Sequence, residues 1–154
     1  MSARLHGYTN VLNTHSLPLC GLKTPYNLNE EMIIKAVKGF LAANAKLDAV
    51  LFATNYLTVG GIKAIQQMGL GIPEDIAIIG FDDNPHFSIL SPPVTGVVQP
   101  VKLIAEVSIN KLLEMLSGKI TCYSVSNIVL PVKLEVRESS MPVNRSKVSE
   151  TNDD

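Results

Sequence analysis

Two stretches decide the fold: Ala49-Val50-Leu51-Phe52-Ala53-Thr54-Asn55 and Ile76-Ala77-Ile78-Ile79-Gly80-Phe81-Asp82-Asp83. Each is a short continuous apolar run that ends in polar residues. Runs of this length, without alternation, are what strands covered on both faces of a parallel sheet look like. Between them lie Leu57, Ile62, Ile65 and Met68 at helical steps, and then Gly69, a natural helix stop. Residues 49–81 thus read as one strand–helix–strand unit of about 30 residues, the size of a right-handed parallel crossover.

Working upstream, Met32, Ile33, Ala36, Val37, Phe40 and Leu41 recur at three- and four-residue steps. They predict an amphipathic helix facing that sheet. Asn27 or Asn29 supplies its cap, and Glu30 and Glu31 suit its first turn. Leu17 to Leu22 reads as a short strand. Residues 1–15 read as a helix with Leu5, Tyr8, Val11 and Leu12 on one side.

Downstream, Thr95 to Gln99 predicts a further strand and Lys102 to Leu116 a helix ended by Gly118. Ile128 to Val136 alternates partly, with Leu130, Val132, Leu134 and Val136 on one side. Pro131 places it at an edge. Residues 141–154 are polar and aperiodic and read as a disordered tail. The fold class expected is α/β with a parallel sheet.

Composition bounds the function. The chain has 154 residues, 46% hydrophobic and 18% charged, enough for a globular core. Its 13 Lys and Arg against 14 Asp and Glu leave a net charge of −1. Duplex binding needs clustered positive charge, which is missing. No run approaches the roughly 20 apolar residues of a membrane span. No signal peptide opens the chain, and Cys20 and Cys122 make no disulfide framework, so a cytoplasmic location is expected.

Phosphate-cradling glycine loops and the nucleophile elbow are absent. His6, His15 and His86 are scattered, so neither a metal nor a cofactor is expected, and no nucleophile–base pair suggests an enzyme.

What remains are polar residues at strand ends. In open α/β sheets ligands bind outside the carboxyl ends of parallel strands. Asn55 offers a donor and an acceptor there, and Asp82 two acceptor oxygens. Both residue types also cap helices and turns, so a purely local role stays open. Arg4 can make forked hydrogen bonds to hydroxyls or a carboxylate; a solvated surface Arg is its alternative.

Phe87, Ile89 and Leu90 fall in a loop-like stretch and either fold onto the core or form a partner surface. Gly60-Gly61 inside a helix costs about 1 kcal/mol per residue, tolerable where another helix approaches closely or the helix kinks.

Taken together, several segments resemble the LacI/GalR family of bacterial transcriptional regulators. They are Val50–Asn55, Gly69–Asp83, Pro92-Pro93-Val94-Thr95 with Gln99-Pro100, and Leu130–Ser139. The resemblance runs over residues 4–140 in order. It implies a periplasmic-binding-protein-like effector domain, in which two α/β subdomains close on a small molecule. Residues 1–91 and 120–140 resemble the C-terminal subdomain, and 92–118 the segment that crosses to the N-terminal one. The helix-turn-helix and most of the N-terminal subdomain have no counterpart, so this chain by itself is expected not to bind operator DNA.

The resemblance implies ligand-contacting roles for Arg4, Asn55 and Asp82, with Tyr26 near a stacking aromatic. It also implies a homodimer interface near Phe87, Ile89, Leu90, Gly60 and Gly61. The effector it implies is a small molecule of the sugar class. Tyr56, Gly96 and Ala105 depart from the family pattern. With one lobe missing, weak or no effector binding is expected of the fragment. A periplasmic-type sugar receptor of the same fold is the alternative.

Overall fold

A computed structural model describes residues 2–118 and 127–142. Cys122 and all but the first two residues of the expected tail lie outside them.

Helix α1 (Ser2–Thr14) opens the chain, as expected. Its large apolar residues stay wet, Leu5 at 42% and Val11 at 59% exposure. Polar tips hold it instead: the Tyr8 hydroxyl donates to the Cys20 carbonyl at 3.2 Å, and Arg4 reaches the sheet. The expected strand at Leu17–Leu22 does not form. Leu17, Leu19 and Leu22 are exposed, and no described segment pairs with their backbone. Apolar content alone makes no strand without a neighbour to complete its hydrogen bonds.

Helix α2 (Glu30–Ala43) starts at Asn29, whose side chain accepts from the Met32 N–H at 2.9 Å, with Glu30 and Glu31 in the first turn. Ile33, Val37 and Leu41, one per turn, are buried. Each contributes about 1.5–3 kcal/mol by leaving water.

Strand β1 (Ala49–Phe52) leads into α3 (Asn55–Gln67), and Gly69, at φ +71°, stops that helix in the left-handed region. Strand β2 (Ala77–Phe81) then runs parallel to β1 with Val50 opposite Ile78. A one-turn 3-10 helix (Pro85–Ser88) precedes β3 (Thr95–Val98), also parallel to β2. Helix α4 (Val101–Leu116) follows, and β4 (Lys133–Glu135) returns antiparallel on β3. The sheet order is β1-β2-β3-β4.

Burial alternates on β1 and β2, whereas β3 is covered on both sides at Thr95 and Gly96, so the expectation of two covered faces is met on β3 and not on β1. Phe52, Ile78 and Gly80 turn inward to α2 and α3, while Leu51 on the opposite side is 47% exposed. Among the described residues, the face toward α2 and α3 is filled along β1 and β2, and the opposite face is closed at Thr95, fully buried beside Ser139. The apolar side expected of residues 128–136 is likewise uncovered: Val132, Leu134 and Val136 are all exposed. They lie on and beside the edge strand β4, whereas the core draws on β1 and β2. Helix α4 forms as predicted, but none of its residues is buried.

Gly60 and Gly61 serve this core. A methyl at Gly60 would meet Ile33 Cγ2 at 2.6 Å, and one at Gly61 would overlap the Phe52 ring. Both are buried between α3 and its neighbours α2 and β1, so the proximity to another helix is intramolecular. Of the two outcomes open to Phe87, it folds onto the core. At 1% exposure it fills the hole left by Gly80, where a methyl would stand 2.7 Å from its ring. Ile89, at 77% exposure, and Leu90 remain on the surface.

Candidate ligand-binding site

Because β1, β2 and β3 are parallel, their carboxyl ends share one rim. Asn55 follows β1 there, Asp82 follows β2 and Gln99 follows β3. The local roles that Asn55 and Asp82 might have filled are taken by others. Thr54 caps α3, accepting from the Leu57 N–H, and Asn84 caps the 3-10 turn, accepting from the His86 N–H. Asn55 is therefore the first residue inside its helix, half-buried, and Asp82 is a half-buried residue at φ +68°.

Arg4 crosses from α1 to the same rim. Its NH1 donates to the Ala53 carbonyl at 2.5 Å, and its NH2 lies 3.6 Å from Asp82 Oδ1. The guanidinium sits 3.7 Å above the centre of the Phe81 ring. A cation over an aromatic face with one carboxylate beside it is held in direction without being fully neutralised. Both partners keep about 30% of their side-chain surface in solvent. The pair thus presents N–H donors and carboxylate acceptors outward, a set suited to hydroxyl groups.

Tyr26 is not brought to this cluster by any hydrogen bond among the described residues and is 87% exposed in a turn. Gln99 was not singled out from sequence, yet its side-chain amide donates to Asp82 Oδ1. The strand-end rule that pointed to Asn55 and Asp82 applies equally to Gln99. Phe81, the floor under Arg4, was missed as well; an aromatic as the last strand residue was the available signal.

Beneath the rim, Asp83 turns back into the protein. Arg137 NH1 and NH2 donate to its two carboxylate oxygens at 2.8 and 2.9 Å. Donating to the Asp83 carboxylate, aided by its charge, raises the Arg137 pKa above its already high ordinary value. A raised cation pKa adds stability that is lost only as pH climbs through that value, so this pair is constant across neutral and mildly alkaline pH.

An open groove of about 450 Å³ adjoins the rim, lined by Gln99, Pro100, Ile104, Lys111, Ile128 and Leu130 among others. No cluster of His, Cys, Asp or Glu fit for a metal occurs among the described residues.

Comparison with known proteins agrees with this architecture. A family model described as a periplasmic binding protein-like domain matches residues 2–140. The lactose operon repressor of Rhizobium radiobacter is 37% identical over 103 residues, covering 67% of this chain and 88% of that protein. The chain belongs to the LacI/GalR family.

A second relative from this family, the ribose operon repressor of Haemophilus influenzae, is 29% identical over 141 residues, 88% of this chain but 41% of its own length. Among solved structures, the transcriptional regulator CelR in complex with cellobiose superposes with a TM-score of 0.79 at 27% identity, covering 89% of this chain and 42% of that one. The chain thus spans well under half the length of these last two. The relatives named here are transcriptional regulators, which favours a regulator over the periplasmic-receptor alternative. No described helix is long and apolar enough to cross a membrane.

Proposed function

We propose that this chain is the effector-sensing portion of a cytoplasmic LacI-type regulator that responds to a sugar or a related polyol, with no catalytic step of its own. Of the described residues, 2–98 and 127–140 belong to one lobe of the cleft, because β3 (Thr95–Val98) and β4 share the sheet of β1 and β2 and so move the expected crossing point from residue 92 to the end of β3, and α4 (Val101–Leu116) leads toward the second lobe. The observation that supports this most directly is the rim itself: Arg4, Asn55, Asp82 and Gln99 at the carboxyl ends of three parallel strands. Arg4 donates to ligand hydroxyls, Asp82 accepts from them, and Asn55 does either. In the complete regulator, ligand favours the closed lobes to the extent that it binds them better than the open ones. Operator contact belongs to a separate DNA-binding segment, since the 13 Lys and Arg of this chain are outnumbered by 14 Asp and Glu.

One lobe buries about half of a sugar that the closed cleft covers almost wholly. If the complete site binds at about 1 μM, half of that free energy corresponds to about 1 mM for this chain. The test is a chemical-shift titration with lactose, cellobiose and ribose to tens of millimolar. The expected result is millimolar binding by at least one, with shifts confined to residues 53–55, 81–83, Arg4 and the Gln99 side-chain amide, abolished by Asp82→Ala. Shifts centred elsewhere, or shifts that persist in Asp82→Ala, would refute the assignment.

A further inference from the structure

We propose that Asp83 and Arg137 form a clamp that positions Asp82, with Gly96 providing the space in which the clamp closes. The proposal deepens the ligand-site reading and rests on Asp82 being the acceptor of that site.

The argument starts from the backbone. Asp82 has φ +68°, in the left-handed region. An L-residue there costs about 1 kcal/mol or more unless its surroundings hold it. No side-chain hydrogen bond of Asp82 to its own turn offsets this. Its carboxylate is aimed outward at Gln99 and Arg4. The hold must come from the next residue, which shares its peptide plane. Asp83 is tied down twice: its N–H donates to the Val97 carbonyl at 3.1 Å, and its carboxylate takes the fork of Arg137.

Arg137 is itself immobilised. Its NH1 donates to the Val94 carbonyl at 2.6 Å, its backbone N–H to Thr95 Oγ1 at 2.8 Å, and its carbonyl accepts from that hydroxyl at 2.9 Å. The paired side chains are 21% and 15% exposed, so water screens them little. Planar forked geometry fixes direction as well as distance, which an ammonium does not. Gly96 completes the clamp. A methyl there would overlap the Asp83 carboxylate, lying 2.9 Å from its Cγ. The bare backbone at 96 is therefore part of how Asp83 reaches Arg137.

The geometry makes Arg137 a positioning residue. It touches nothing at the rim, yet losing it frees Asp83, lets the Asp82 backbone relax toward negative φ, and swings its carboxylate away from Gln99 and Arg4. Gly96→Ala should do the same from the other side, by displacing the carboxylate instead of removing the guanidinium.

The readout is the exchange rate of the Gln99 side-chain amide protons with water, measured by NMR on the full chain without ligand. Backbone amide protection at Ile65 and Ile78 serves as the core reference. Arg137→Gln and Gly96→Ala should each speed Gln99 exchange by about tenfold, the worth of one charge-assisted hydrogen bond, with core protection retained. Arg137→Lys, keeping one bond, should fall between them and the parent. Unchanged Gln99 exchange in a variant that keeps its core protection overturns the clamp. Loss of core protection in step with Gln99 in all three variants makes Arg137 merely structural and also overturns it. A Gln99 response with sugar shifts centred elsewhere sustains the clamp and removes only the ligand reading.

Discussion

Ser139→Ala is a severe test of how the return segment is joined to the sheet. Ser139 is fully buried, at 0% exposure. Its hydroxyl donates to the Ile78 carbonyl on β2 at 2.8 Å and accepts from the Thr95 N–H on β3 at 2.9 Å, while its own N–H donates to the Pro93 carbonyl. One oxygen thus bridges two strands. Removing it loses two hydrogen bonds of about 1 kcal/mol each and strands a buried donor whose desolvation costs a further 1–3 kcal/mol. The gap left is smaller than a water molecule, so solvent cannot substitute.

A loss of about 3–5 kcal/mol is expected, out of the 5–15 kcal/mol typical of a domain. With a urea slope of about 1–3 kcal/mol/M, the midpoint should fall by about 2 M at unchanged slope, followed by circular dichroism. Ser140→Ala is the control. Ser140 is half-buried and shares a bond with Thr95 Oγ1, which retains the Arg137 carbonyl as acceptor. It should cost under about 1 kcal/mol. A Ser139→Ala midpoint indistinguishable from the parent would refute the bridging role.

Two further outcomes are expected. Gly61→Ala should destabilise by about 2–3 kcal/mol because the rigid Phe52 ring cannot yield, whereas Gly39→Ala, with nothing within 4 Å in the middle of α2, should stabilise by about 0.5–1 kcal/mol; thermal unfolding distinguishes the two. If the exposed Ile89 and Leu90 belong to a dimer seam, Ile89→Asp should lower the sedimentation mass toward the monomer without lowering stability, and an unchanged mass counts against that seam.

The strand–helix–strand unit was legible because its information is local. The apolar runs at 49–53 and 76–81, the Asn29 cap and the Gly69 stop each act within a few residues. The rim was half legible. Asn55 and Asp82 follow from strand ends, but Arg4 meets Ala53 across 49 residues of sequence, and Arg137 meets Asp83 across 54. No periodicity encodes such pairings. Leu17–Leu22 shows the converse failure: apolar content suits a strand, but a strand is a property of two segments. Phe87 could be read either way from its loop-like setting. The absent side chain at Gly80, a neighbour in space, is what admits it to the core.

Helix α4 carries Val101, Leu103, Ile104, Ile109, Leu112, Leu113, Met115 and Leu116, every one at least 39% open to water. Ordinarily such a helix would be the last to stay in solution unaided. Among the described residues, its polar side carries the ion pairs Lys102–Glu106 at 3.9 Å and Lys111–Glu114 at 2.8 Å. These sixteen residues form one continuous stretch of apolar exposure: salting-out agents that strengthen apolar association act on it, and a charged replacement on α4 lowers that tendency without touching the packed face of the sheet.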